Sequence, residues 1–141
     1  MQLPPFHAAI GVDSISEARR FYVDLLGCSE GRSGPTWVDF SLFGHQLSAH
    51  LCPAREAANA GSVDGDAVPL PHLGAVLPWH LWESLAERLR HAGIHFVLEP
   101  KVRFEGQAGE QGTFFIEDPA GNGLEFKAFR QPERLFATDE D

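Results

Sequence analysis

Only two of the 141 residues are cysteine, Cys28 and Cys52, and they form no CxxC pattern. That excludes a thiolate zinc site of the CxxC kind, and in a reducing compartment the pair is expected as thiols rather than a bridge. Positive charge is also scarce, with 11 Lys and Arg against 20 Asp and Glu, a net charge of −9. Such a balance repels nucleic acid and anionic membrane, so neither is expected as a partner. No apolar run approaches the roughly 20 residues of a membrane-spanning helix. The opening Met1-Gln2-Leu3-Pro4-Pro5 lacks the basic start and long apolar stretch of a secretion signal, and a cytoplasmic location is the expectation. What is present, 43% hydrophobic and 22% charged residues, suits a single soluble domain over residues 1–141. Seven histidines are its most informative chemistry.

The chain repeats itself. Phe6 to Val12 reads as a short apolar strand, and Ser14-Ile15-Ser16-Glu17 fits a capping box that opens a helix. Ala18, Phe21, Tyr22, Leu25 and Leu26 give that helix one apolar face, and Gly27 is suited to end it. A strand around Ser29 to Ser33 follows, then two alternating segments. Val38, Phe40 and Leu42 form one face of the first, Leu47, Ala49 and Leu51 of the second, with a tight turn at Gly44-His45. The second half repeats the order: a strand Pro71 to Leu77, a helix marked by Leu81, Trp82, Leu85, Ala86 and Leu89, and a stop at Gly93. Strands at Ile94 to Glu99, Thr113 to Glu117 and Leu124 to Phe129 complete it, with Asp118 to Gly123 turning between the last two. His7 and His72 stand 65 residues apart and Gly27 and Gly93 stand 66 apart, the mark of a tandem repeat. The fold class is α+β, two tandem βαβββ modules over about 4–52 and 72–130. A connector spans 53–71 and an acidic tail 131–141. A half of this size would be marginal alone, so the two are read as one domain.

Strand parity singles out four side chains. His7 lies opposite Ala8, Ile10 and Val12, and His50 opposite Leu47, Ala49 and Leu51. His72 lies opposite Leu73, Ala75 and Leu77, and Glu125 opposite Leu124, Phe126 and Ala128. A single histidine on a strand is ordinarily a satisfied core or surface side chain. Four in register across a repeat instead define a candidate metal site, if the two halves together close a trough. His80, His91 and His95 read as surface or helix-end residues, and His45 as a turn residue able to line the site.

Paired βαβββ units with His7, His72 and Glu125 on their terminal strands resemble the vicinal oxygen chelate superfamily of glyoxalase I, extradiol dioxygenases and bleomycin-resistance proteins. The resemblance covers nearly the whole chain. The segments FHAAIGV, EARRFYVDLLGC, WVDFSLFGHQLSAHL, PHLGAVL and EDPAGNGLEFKAF are most similar to small predicted extradiol-type dioxygenases. The resemblance implies an open, curved eight-stranded sheet around a metal, frequently in a homodimer. By position, His7, His72 and Glu125 match iron ligands, a set that leaves three octahedral positions open. Fe(II) is the favoured metal, with Zn, Ni, Co or Mn as alternatives.

His50 corresponds to an acid/base residue in extradiol enzymes and to a fourth ligand in glyoxalase I. An imidazole suits the first role best. Larger extradiol enzymes carry a tyrosine ahead of the final-strand glutamate, whereas this chain has Thr113-Phe114-Phe115-Ile116, and its one tyrosine, Tyr22, reads as core. Arg103, Gln107 and Glu110 are available to orient a substrate oxygen instead, and Trp37, Phe104, Phe115 and Phe129 could line an aromatic pocket. Trp37, His45, Arg103 and Phe115 are the candidate substrate contacts. The expected function is a metal-dependent dioxygenase acting on a small catechol-like diol. A glyoxalase- or epimerase-like isomerase or lyase, and a metal-free binding or resistance protein, are the alternatives.

Overall fold

A computed structural model describes residues 2–52, 59–63 and 65–138. Residues 53–58 and 64 of the expected connector, and 139–141 of the acidic tail, lie outside the described residues. The chain forms two compact units. The first holds the described residues up to Cys52 together with Asp118–Asn122; the second holds those from Asn59 onward apart from that turn.

The first unit runs β1 (His7–Val12), α1 (Ile15–Arg19), β2 (Ser29–Gly34), β3 (Trp37–Leu42) and β4 (His45–Leu51). Its sheet has the order β1-β4-β3-β2, with β1 parallel to β4 and the other neighbours antiparallel. The Ser14 hydroxyl accepts the Glu17 amide at 3.2 Å and starts α1, as the capping signature predicts. The regular helix lasts five residues and widens into a π-helical turn over Arg20–Leu25, where the Leu26 amide reaches back to the Phe21 carbonyl at 2.9 Å. This corrects the plain helical face expected from the sequence. The extra residue per turn buries Ala18, Phe21, Tyr22 and Leu26 while Leu25 stays partly exposed.

Tyr22 is fully buried, stacked on Phe40 at 5.0 Å, and its hydroxyl donates to Asp118 at 2.8 Å. It is a core residue, as expected. The β3–β4 hairpin turns at Phe43-Gly44, both at positive φ (52° and 91°), the signature of a type I′ turn. His45 therefore begins β4 instead of sitting in the turn.

The second unit runs β5 (Asn59–Val63), β6 (Asp66–Leu70), β7 (His72–Val76), α2 (Trp79–His91), β8 (Leu98–Arg103), β9 (Gln111–Glu117) and β10 (Gly123–Phe129). Strand order β7-β10-β9-β8, with β7 parallel to β10, repeats the first unit's sheet. The tandem βαβββ architecture is thus present, its eight strands divided by hydrogen bonding into two four-stranded sheets. The connector contains an antiparallel hairpin, β5–β6, and one expectation is corrected: the strand expected at Ile94 to Glu99 begins only at Leu98 and continues through Pro100 to Arg103. Proline is tolerated there because β8 is an edge strand whose register slips between Leu98 and Lys101.

Trp82, Leu85, Ala86 and Leu89 of α2 are buried, in a core that also holds Phe114 and Phe126. The Trp82 indole N–H donates to the Phe126 carbonyl at 2.9 Å, and a Cβ on Gly112 would come within 2.6 Å of its ring. Glycine at 112 is what lets the indole lie against β9. Among the described residues no helix is long and apolar enough to cross a membrane. Replacing Trp82 with Phe removes the indole hydrogen bond and part of the ring's packing, and should lower unfolding free energy by about 1 kcal/mol, read as a lower urea midpoint at unchanged slope.

Candidate metal centre

In the second unit the parallel pairing of β7 and β10 sets His72 beside Gly123, which places Glu125 two residues further along, opposite Gly74. That register brings the two side chains together on one face, His72 Nε2 lying 3.3 Å from Glu125 Oε1. Two glycines make the approach possible. A Cβ on Gly74 would run into the Glu125 carbonyl, and one on Gly123 would lie 2.9 Å from Pro69 and 3.3 Å from the His72 Cβ.

Each side chain is held from behind. His72 Nδ1 lies 2.6 Å from the Pro69 carbonyl, which can only accept, so Nδ1 carries the proton. Glu125 Oε2 accepts the Thr113 hydroxyl at 2.5 Å, and the Phe115 ring stands edge-on to His72 at 4.9 Å and 88°. With Nδ1 protonated, the Nε2 of a neutral imidazole is an acceptor facing a carboxylate, also an acceptor. A positive charge is needed between them, either a proton on Nε2 or a metal ion. The residues therefore fit a divalent cation: an imidazole and a carboxylate with lone pairs converging, each oriented by an outer hydrogen bond of the kind that supports metal ligands. Among the described residues no third His, Cys, Asp or Glu joins such a pair to form a metal-holding group.

The first unit carries the remaining two. His7 is exposed on β1 and pairs with Gln46; His50 is exposed on β4 and pairs with Gly11 and Trp37. The rung that repeats Glu125 opposite Gly74 is Ser48 opposite Ala9. His50 instead repeats Lys127, which pairs with Val76 and Thr113. The expected four-fold register is thus corrected: His50 lies on the same face as Ser48 but two residues beyond it. Parity could not detect this, because a shift of two residues leaves the face unchanged.

The candidate substrate contacts divide. Phe115 touches His72, and Trp37 stands beside His50 with the Arg32 guanidinium 5.9 Å from its ring centre. His45 Nδ1 accepts the Phe6 amide at 2.7 Å. Arg103 is buried, its guanidinium 2.9 Å from Asp66 on β6, and Lys101 meets the same carboxylate at 2.9 Å. Glu110 accepts the Gly106 amide at 2.8 Å and Arg130 at 2.9 Å, so it shapes the loop before β9. Phe104, Gln107 and Phe129 line a cavity of about 470 Å³ with Gln111 and Arg134. His80, His91 and His95 are exposed. Sequence reasoning missed Pro69 and Thr113. A backbone carbonyl leaves no signal in residue type, whereas Thr113 shares Phe115's face and was open to detection.

The repeated strand order places the chain among small proteins built from two βαβββ units. The chain belongs to the Glyoxalase/Bleomycin resistance protein/Dioxygenase superfamily, whose family model matches residues 5–126. Members of that superfamily generally bind a divalent metal ion, and enzymes are among them. No curated protein matches the chain. Among solved structures, a glyoxalase/bleomycin resistance protein/dioxygenase from Alicyclobacillus acidocaldarius is 31% identical at a TM-score of 0.77, covering 94% of this chain and 96% of that one. A fosfomycin resistance protein from Listeria monocytogenes is 16% identical, with TM-score 0.70 and coverage of 96% and 100%. A lactoylglutathione lyase from Agrobacterium tumefaciens is 21% identical, with TM-score 0.66 and coverage of 89% and 92%. The last two show likeness of fold alone.

The Lys101 hydrogen bond, reinforced by the charges of Lys101 and Arg103, holds the Asp66 carboxyl below its ordinary value of 3.8. A lowered carboxyl stabilises the fold at pH values above its unfolded range, and the contribution disappears as pH falls through the folded value. Asp66→Asn should therefore lower the melting temperature modestly at pH 7 and leave it unchanged in acid below that range. Thermal melts from pH 7 to pH 2 check this.

Proposed function

We propose that the protein is a metal-dependent enzyme of the extradiol-dioxygenase type, in which His7, His72 and Glu125 hold Fe(II) and a small catechol-like diol is the substrate. The observation that carries this reading is the convergence of His72 Nε2 and Glu125 Oε1, each fixed from behind by Pro69 and Thr113. Two imidazoles and one carboxylate are the donor set that leaves ferrous iron three open positions, and Zn, Ni, Co and Mn accept the same donors. When bound, the ion supplies Lewis acidity toward two adjacent substrate oxygens and redox capacity toward dioxygen.

The chain's own residues do the rest. Pro69 keeps the His72 proton on Nδ1 and so keeps Nε2 free to donate its lone pair. Thr113 holds Glu125 Oε2, which leaves Oε1 as the donor oxygen and commits the only hydroxyl in the Thr113–Ile116 stretch to positioning. Phe115 walls the imidazole. His50 is the group assigned to accept and return the substrate proton, since imidazole is the side chain suited to that exchange at neutral pH. The isomerase alternative needs a fourth ligand from β4, and His50 is the residue that would serve. A homodimer, a cytoplasmic location and a small-molecule substrate accompany the proposal on the strength of the family resemblance.

Anaerobic Fe(II) titration with metal quantification tests the site. The native chain should hold one ion, His72→Ala and Glu125→Ala should lose it, and Thr113→Val should weaken it about tenfold. Iron-loaded protein should consume oxygen with at least one member of a catechol panel, and His50→Ala should abolish turnover while retaining the ion. Iron binding indifferent to both ligand substitutions would sink the assignment.

A further inference from the structure

The first unit has its own carboxylate on the corresponding rung. Asp39 on β3 pairs with Ser48 as Phe115 on β9 pairs with Glu125, so the repeat has moved the acid one strand across. Asp39 is 8% exposed. The Ser48 hydroxyl donates to Oδ1 at 2.6 Å, and the Gln46 amide reaches Oδ2 only at 3.4 Å. Both donors are neutral, and among the described residues no cation meets this carboxylate. A carboxylate so deeply withdrawn from water is ordinarily matched by a positive charge, because neutral donors alone do not replace its hydration.

Over it lies a cavity of about 390 Å³ whose walls include Pro5, Glu30, Arg32, Asp39, His45 and Gln46. The other ionisable groups in these walls are engaged. Glu30 is bonded to Arg19 at 2.9 Å, the exposed Arg32 guanidinium lies 5.9 Å from the Trp37 ring centre, and His45 accepts the Phe6 amide on Nδ1. Among the described residues Asp39 is the acid of these walls that no cation meets, and its Oδ2 is the atom with an acceptor site to spare.

We infer that this cavity binds the primary ammonium group of a small-molecule amine, with Asp39 Oδ2 as counter-ion and the Gln46 amide displaced or shared at the rim. A primary amine fits better than a quaternary one because Oδ2 needs an N–H donor. The aromatic lining residue, Phe40, is 1% exposed and turned into the core, so it builds no cage for a methylated cation. Pro5, Gly31 and Gly44 in the walls leave space for the carbon body. This site uses none of the proposed iron ligands and stands whether or not the dioxygenase reading does.

The test is amide-resolved NMR of the full ¹⁵N-labelled chain, titrated with benzylammonium chloride and, separately, with the neutral isostere benzyl alcohol at constant ionic strength. Benzylammonium should shift the Gly31, Ser41 and Gln46 amides saturably, and the alcohol should bind at least tenfold more weakly. Asp39→Asn keeps the size and an acceptor for Ser48 but removes the charge, and should weaken the amine at least tenfold. Gly31→Val is the second variant. A Cβ at position 31 would lie 3.5 Å from the Asp39 Cβ, so a branched side chain there fills space beside the carboxylate while leaving its charge in place, and should also block the amine. Its result stands if Asp39→Asn fails to fold. Equal binding of amine and alcohol, amine binding unchanged in either folded variant, or no saturable shift would overturn the assignment.

Discussion

One hydrogen bond governs the chemistry available to this fold. The Pro69 carbonyl, 2.6 Å from His72 Nδ1, decides which imidazole nitrogen carries the proton and therefore that Nε2 meets Glu125 as an acceptor. Were the tautomer free to change, Nε2 could donate to the carboxylate in a charge-assisted hydrogen bond, and no cation would be needed between the two atoms. The carbonyl reaches His72 because β6 runs straight into β7 and because Gly123 leaves room for the proline ring. The hairpin that looked like a mere connector is thus part of the site's construction.

The two units show how a repeat can keep its scaffold while changing its chemistry. Strand order, strand directions and rung spacing are the same in both sheets. On the shared rung, however, one unit has Glu125 beside a histidine with Phe115 next to it, and the other has Ser48 with Asp39 next to it. Both keep an acid on this rung. In one case the acid is braced toward an imidazole, and in the other it is braced by a hydroxyl toward an open cavity.

The architecture was legible because its signals are local and redundant: the capping serine before α1, alternation on β3 and β4, and glycines at the helix ends. The faces of His7, His50, His72 and Glu125 were legible for the same reason, since alternation alone fixes a face. Register was not, because strand pairing is a tertiary choice and a two-residue slip preserves every face assignment. The π-helical turn escaped because its residues also satisfy an ordinary helical period. Asp39 escaped because alternation with Val38 and Phe40 makes it read as an outward polar residue, whereas the sheet withdraws it from water.

The glycines at the centre of the second sheet have a bearing on how such a protein can diversify. At Gly74 even one added carbon collides with the facing strand, and at Gly112 and Gly123 it meets Trp82 or Pro69. Inheritance can therefore alter little along β7 and β10 without dismantling the His72 and Glu125 pairing. The loop between β8 and β9 carries no such restriction: at Gly106 and Gly109 an added carbon meets nothing within 4 Å, although Gly106 keeps a positive φ. New substrate preferences in chains built this way should arise from that loop, around a centre that stays fixed.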